Sequence, residues 1–203
     1  MYIQIKRLID IFLSLFFALI LSPMLCIIAL LIFFSMGFPI FFKQQRIGKD
    51  GRVFLLVKFR TMKPPKGDRS EFDVADRITK FGNFLRKSSL DELPELFNIL
   101  IGDMSFIGPR PLPEIYRNRY SEIQWKRHRV RPGLSGLAQI KGRKTISWKK
   151  KLFFDVIYVK KMSLLLDIYI AVKTILIIFD SKSADSAEEK EMPDFNVARN
   201  NSK

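Results

Sequence analysis

Histidine and cysteine are nearly absent from this chain: His128 and Cys26 are the only ones among 203 residues. One cysteine permits neither a disulfide framework nor a thiolate metal site. One histidine argues against a histidine-rich metal centre and against a Ser-His-Asp triad, and leaves His128 as a packing or surface residue. Charge is missing altogether from Ile11 to Phe42. Acidic groups are scarce overall, 20 against 35 Lys and Arg, for a formal net charge of +15. There is no internal repeat.

An excess of positive charge suits a nucleic acid, an anionic lipid surface or a phosphorylated substrate alike. The uncharged run decides in favour of the membrane. It is too long for a signal-peptide core of roughly 7–15 residues, and Phe34-Ser35-Met36-Gly37-Phe38-Pro39 at its end offers no cleavage signature. Two readings stay open. Residues 11–36 could form one kinked span, since about 20 apolar residues suffice. Against that, Ser22-Pro23 falls mid-run, and proline there removes a helix hydrogen bond and clashes with the preceding turn. Each half is then about 14 residues, or ~21 Å, short of the ~30 Å hydrocarbon core. Lys6 and Arg7 before the run and Lys43, Arg46, Lys49 and Arg52 after it also place both ends on one face. The expectation is a re-entrant helix–break–helix over residues 1–39, with Gly37 and Pro39 ending the second limb.

Residues 40–180 read as an α-rich α/β catalytic domain, and 181–203 as a polar tail expected to be disordered. Residues 40–60 predict a β-hairpin turning at Asp50-Gly51, with Val53–Val57 as the returning strand. Pro64–Asp68 predicts a loop. Residues 72–87 predict a basic helix, and Leu90, Leu93, Leu96, Phe97 and Leu100 a second one with Pro94 in its first turn. Residues 113–129 predict another helix. Arg131–Gly136 predicts a tight loop, Leu137–Ile140 a strand, and Lys141-Gly142-Arg143 a turn. Ser147–Phe179 predicts amphipathic helix. Asp167 and Lys173 argue against burying its end in lipid, so 164–179 is expected to lie in the interface.

The chemistry concentrates in residues 88–111, where Asp91 and Glu92 stand at a helix start and Arg110 sits in Gly108-Pro109-Arg110-Pro111. An N-cap acid followed by a first-turn acid is ordinary. Two adjacent carboxylates are also what Mg²⁺ takes from a protein when substrate phosphates complete its shell, and a carboxylate can attack phosphorus. Arg86, Arg110 and Arg143 nearby in sequence offer guanidinium forks suited to phosphate oxygens.

Gln45-Arg46-Ile47-Gly48, Lys58-Phe59-Arg60-Thr61-Met62, the block 88–111, Arg131-Pro132-Gly133-Leu134-Ser135-Gly136 and Asp155-Val156-Ile157-Tyr158-Val159 together resemble, in order, the bacterial sugar transferases. These are the monotopic phosphoglycosyl transferases, and the likeness runs over about residues 3–180 in the small, core-only form. The resemblance implies Mg²⁺-dependent transfer of a sugar-1-phosphate from a UDP-sugar to undecaprenyl phosphate, releasing UMP. It implies Asp91 as the nucleophile of a covalent phosphosugar intermediate, with Glu92 as its metal-binding partner. Lys58, Arg60, Arg86 and Arg110 would hold phosphates, and Arg143 and Asp155 would recognise the nucleotide. Ser22-Pro23 would be the break of the re-entrant helix. The resemblance also implies the cytosolic face of the bacterial inner membrane, contact with anionic lipids and supply of downstream glycosyltransferases. Core-only length is similar to that of members using N-acetylated amino sugars, such as diacetylated bacillosamine, more than to those using galactose or glucose. Two rivals differ in kind. A membrane-tethered nucleic-acid binder is suggested by the net charge and Trp125–Arg129, and would bind in a strongly salt-dependent way; no nucleic-acid partner is expected. A scaffold without chemistry is opposed by the intact Asp91-Glu92 pair and Arg110.

Overall fold

The computed structural model describes residues 2–63, 77–142 and 146–179. The expected loop at 64–68, residues 72–76 of the expected helix 72–87, Arg143 and the tail 181–203 lie outside them; within them that helix starts only at Lys80, after its cap Thr79.

The chain starts with α1 (Tyr2–Ile20) and α2 (Ser22–Met36), which meet at a 62° bend. The cause is local. Pro23 has no N–H to give to the Leu19 carbonyl, and the Ser22 hydroxyl donates to that carbonyl instead, at 2.7 Å. Leu21 N to Phe17 O (2.9 Å) and Leu25 N to Leu21 O (2.8 Å) carry the helical pattern across the break. No described helix is by itself long and apolar enough to cross a membrane, but this bent pair passes that test together.

Next come β1 (Phe41–Ile47) and β2 (Val53–Phe59), an antiparallel hairpin in register from Phe41–Phe59 to Ile47–Val53. As the sequence predicts, the turn is made at Asp50 (φ 54°) and Gly51 (φ 76°). Two successive positive φ values give the backbone twist that a tight hairpin needs. Phe54 and Leu56 point inward from β2 onto Leu96, Ile99 and Met104.

The remaining elements are α3 (Lys80–Lys87), α4 (Glu95–Ile101), β3 (Ser105–Ile107), α5 (Glu122–Trp125), β4 (Gly133–Ser135), α6 (Leu137–Gly142), α7 (Trp148–Lys161) and α8 (Leu164–Phe179). Several differ from expectation. The helix expected at 113–129 is two single-bond-tight 3₁₀ stretches, Glu114–Arg119 and Lys126–Arg129, around the one-turn α5. The strand expected at 137–140 is helix α6, and the strand is Gly133–Ser135, where a loop was expected. That strand exists because it pairs in parallel with β3, a long-range contact that no local pattern announces. The helical run 147–179 breaks at Met162-Ser163 into α7 and α8.

Polar side chains fasten the apolar leader to the rest. Asp10, only 3% exposed, accepts from Ser105 Oγ and Phe106 N, both at 3.1 Å. Asp167, which in the sequence argues against burying α8 in lipid, faces the protein interior. It is buried, and accepts from Lys6 Nζ and Tyr2 Oη at 2.5 Å and from Tyr158 Oη at 2.7 Å. On the outer side, Phe12 and Leu19 of α1, Phe34 of α2 and Leu165, Ile175 and Leu176 of α8 stay exposed. Residues this apolar and this exposed mark a surface made to be covered.

Candidate active site

The dyad lies between two helices, in a segment built from its ends inward. Thr79 caps α3, accepting from Gly82 N at 2.9 Å. After α3, Ser89 takes the left-handed conformation (φ 58°), uncommon for a residue with a β-carbon. A 3₁₀ turn follows at Leu90–Glu92, and Pro94 starts α4, so the dyad precedes the helix proper. Leu90 and Leu93 on either side of it pack onto Ile28 and Ile32 of α2, Phe59 and Leu85. The carboxylates are therefore anchored directly on the bent leader.

Asn98 fixes the other side. It is buried, its Oδ1 accepts from Val57 N at 3.1 Å, and its Nδ2 donates to Leu55 O at 2.9 Å. The side-chain amide thus serves the outer edge of β2 as another strand would. This brings Lys58, the next residue on β2, against the dyad.

Lys58 Nζ lies 2.6 Å from Glu92 Oε1 and 3.0 Å from Glu95 Oε1. Arg110 Nη2 reaches the same Glu92 oxygen at 2.6 Å while its side chain stays 44% exposed. Burial disfavours the charge on Glu92, but Arg110 and Lys58 outweigh it and hold the carboxyl below the usual carboxylate range. Glu95 goes the other way: burial pushes it up, and Lys58 only partly compensates. Asp91 is also raised, by burial and then by Glu92, with Lys58 and Arg86 pulling against them. With the described residues Asp91 forms no salt bridge. The site therefore pairs a carboxylate locked between two cations with a neighbour left available.

The Gly-Pro-Arg-Pro turn is braced from behind. A β-carbon on Gly133 would come within 2.0 Å of Gly108 N, and one on Gly136 within 2.1 Å of Gly108 O. The Pro-Gly-Leu-Ser-Gly segment is thus a glycine-only seat for the turn. Arg46 Nη1 donates to Pro111 O at 3.0 Å. Burial, then the Arg110 charge, lowers its guanidinium to about 10.

Of the residues expected at the site, Asp91, Glu92, Lys58 and Arg110 converge, and Arg86 is close enough to stabilise charge on Asp91. Arg60 does not join them. It lies just beyond β2, is 8% exposed, and donates to the carbonyls of Met36, Gly37 (2.6 Å) and Phe38 (2.9 Å) at the end of α2. Asp155 is likewise turned inward: it is 3% exposed and binds Arg127. Arg143 lies outside the described residues. Glu95, Asn98 and Arg127 were missed by sequence reasoning. Leu152, Asp155 and Val156 at helical spacing were a signal that Asp155 shares α7's buried face. His128 is a packing residue, ringed by Trp125 and Tyr120 at 4.5 and 5.0 Å between centroids, with burial and then Arg127 lowering it to about 3.

No cluster of three or more acidic, His or Cys side chains able to hold a metal exists among the described residues. A divalent cation at this site would have Asp91 and one oxygen of Glu92, the other being taken by Lys58 and Arg110. So sparse a donor set fits Mg²⁺, which completes its shell with water and substrate phosphate.

Comparison with known proteins shows the family. The model of the bacterial sugar transferase family matches residues 1–181. The chain belongs to that family. It is 44% identical over 174 residues to the uncharacterized sugar transferase EpsL of Bacillus subtilis, covering 84% of this chain and 85% of the relative. The exopolysaccharide production protein ExoY of Sinorhizobium fredii is 40% identical over 189 residues, covering 84% and 83%. The UDP-glucose:undecaprenyl-phosphate glucose-1-phosphate transferase of Escherichia coli is 39% identical over 191 residues, 89% of this chain but only 41% of that protein.

Proposed function

We propose that this bacterial sugar transferase moves a sugar-1-phosphate from a UDP-sugar to undecaprenyl phosphate and releases UMP. The observation that carries the reading is the convergence of Lys58 and Arg110 on Glu92, beside an Asp91 that makes no ion pair among the described residues. The E. coli relative's name states this chemistry for glucose. That name favours a hexose donor over an N-acetylated amino sugar.

In the first half-reaction an Asp91 oxygen attacks the donor's β-phosphorus. A bond forms from Asp91 to phosphorus as the phosphorus–oxygen bond to UMP breaks, and UMP leaves with the electron pair. In the second, an oxygen of undecaprenyl phosphate attacks the same phosphorus and Asp91 leaves as a free carboxylate. Lys58 and Arg110 stabilise the charge that grows on the phosphates, where a single well-aimed donor is worth roughly 10²–10³ in rate. Mg²⁺, held by Asp91 and Glu92, would supply further charge neutralisation. Arg86 keeps Asp91 ionised.

The leader fits the acceptor. A hairpin bent at Ser22-Pro23 that enters and leaves by the cytosolic face holds the site at headgroup depth. A membrane-held phosphate can there meet a water-soluble nucleotide sugar. The exposed apolar residues of α1, α2 and α8 would face lipid, with anionic headgroups meeting the surrounding cations. The lipid-linked product then suits glycosyltransferases that extend it.

The decisive experiment uses donor labelled in the sugar phosphate, without acceptor. Label should become covalently bound to protein and map to Asp91, and Asp91→Asn should lose both the adduct and UMP release. Normal turnover by Asp91→Asn would refute the nucleophile assignment.

A further inference from the structure

Arg127 is among the largest side chains that the fold buries completely, and the chemistry above gives it no task. Its Nε and Nη2 donate to Asp155 Oδ2 at 3.0 and 2.8 Å. Nη2 also donates to the backbone carbonyl of Arg110, at 2.6 Å. Asp155 spends only one oxygen here; its buried Oδ1 has no hydrogen-bond partner among the described residues.

Stability is a poor reason for such a pair. Removing two charges from water costs about as much as their attraction returns, and apolar residues of the same volume commonly do as well or better. What hydrocarbon cannot supply is a donor aimed in a fixed direction, which a guanidinium fork oriented by a carboxylate does supply. That donor ends on the one residue in the turn whose side chain reaches the dyad. The next carbonyl, Pro111 O, is held by a second arginine, the half-buried Arg46. The backbone beneath the Arg110 guanidinium is thus clamped at consecutive carbonyls.

We infer that the Arg127–Asp155 pair is a positioning device for Arg110, fixing the height and direction from which its guanidinium meets Glu92 and the donor's phosphates. The inference rests on the proposed function, in which Arg110 contacts phosphate. It also gives Asp155 a different task from nucleotide recognition: Asp155 orients Arg127, and Arg127 acts through the backbone of Arg110. Displacing a catalytic group by about 1 Å can cost on the order of 10²-fold in rate, so a strut of this kind is worth its burial.

A double-mutant cycle on the full-length enzyme in detergent tests this, with UMP release as the activity and thermal melting as the control. Arg127→Lys keeps the charge but loses the fork; Asp155→Asn keeps the shape but loses the charge. Each should lower kcat/KM of the folded enzyme about 10- to 100-fold and raise the donor KM, as Arg110→Met should, with melting lowered but the protein still folded at the assay temperature. In an Arg110→Met background the same changes should cost less than about 3-fold more, because the group they position is gone. Losses that multiply fully in that background would overturn the inference. So would failure of both conservative variants to fold while Arg110→Met folds, since the pair would then be a stability element. A fully active Arg110→Met would bring down the functional reading, and the positioning role with it.

Discussion

Two helix ends in this molecule are met by cations from one strand and its continuation, and they have opposite characters. At the end of α2, Arg60 is buried against the carbonyls of Met36, Gly37 and Phe38. Just before α4, Lys58 is set between Glu92 and Glu95, with Arg110 closing on Glu92 from the rim. The first is a cation on neutral acceptors that themselves need partners. The second sets Lys58 on Glu92 and Glu95 and Arg110 on Glu92. Of the two, the second holds a carboxylate, Asp91, that makes no ion pair among the described residues. The same chemical type, two residues apart, is a fastening in one place and machinery in the other.

The largest effect that would sharpen this contrast is at Lys58. Lys58→Met should lower turnover by about 10²–10³-fold and leave the protein folded. It folds because Glu95, whose carboxyl burial already pushes up, can take a proton rather than stand as a bare buried charge. A variant that melts far below wild type but retains specific activity would reverse the assignment. Arg60→Met should do the opposite. Buried hydrogen bonds to a charged group contribute about 1.5–3 kcal/mol each, and their shared loss should remove roughly 2–4 kcal/mol of stability. Specific activity of the folded fraction should hold. If instead turnover falls with melting unchanged, Arg60 contacts phosphate after all.

The contrast also shows what the sequence can carry. The Ser22-Pro23 break, the Asp50-Gly51 turn and the dyad block were legible because each is decided within a few residues by missing N–H groups, positive φ or adjacent charge. Lys58 and Arg60 were not distinguishable, because their difference depends on where β2 stops and what lies beyond it. β4 and α6 were exchanged for a related reason. Leu137–Ile140 is an apolar run that suits a strand, yet the strand pairing goes to Gly133–Ser135, whose glycine can approach β3 and Gly108. Asn98 carried no local signal at all, since its partners are backbone groups of β2. Contacts between distant segments decide such residues, and one sequence does not display them.

The smallest effect concerns the free member of the dyad. Asp91 is raised by burial and by Glu92, and among the groups opposing that rise is Arg86, an exposed arginine in the last turn of α3. Taking away a nearby cation removes support for the carboxylate, so the pKa of Asp91 should rise further in Arg86→Gln. A nucleophile must be ionised, so activity is lost as pH falls through that pKa. The acid limb of kcat/KM should therefore move to higher pH in the variant. The shift should shrink as salt screens the interaction. Lys80→Gln, at the other end of the same helix, should leave the limb where it is. A limb that stays in place in Arg86→Gln would mean that the ionisation controlling turnover belongs to another group, and that Asp91 is not the side chain whose charge the neighbouring cations maintain.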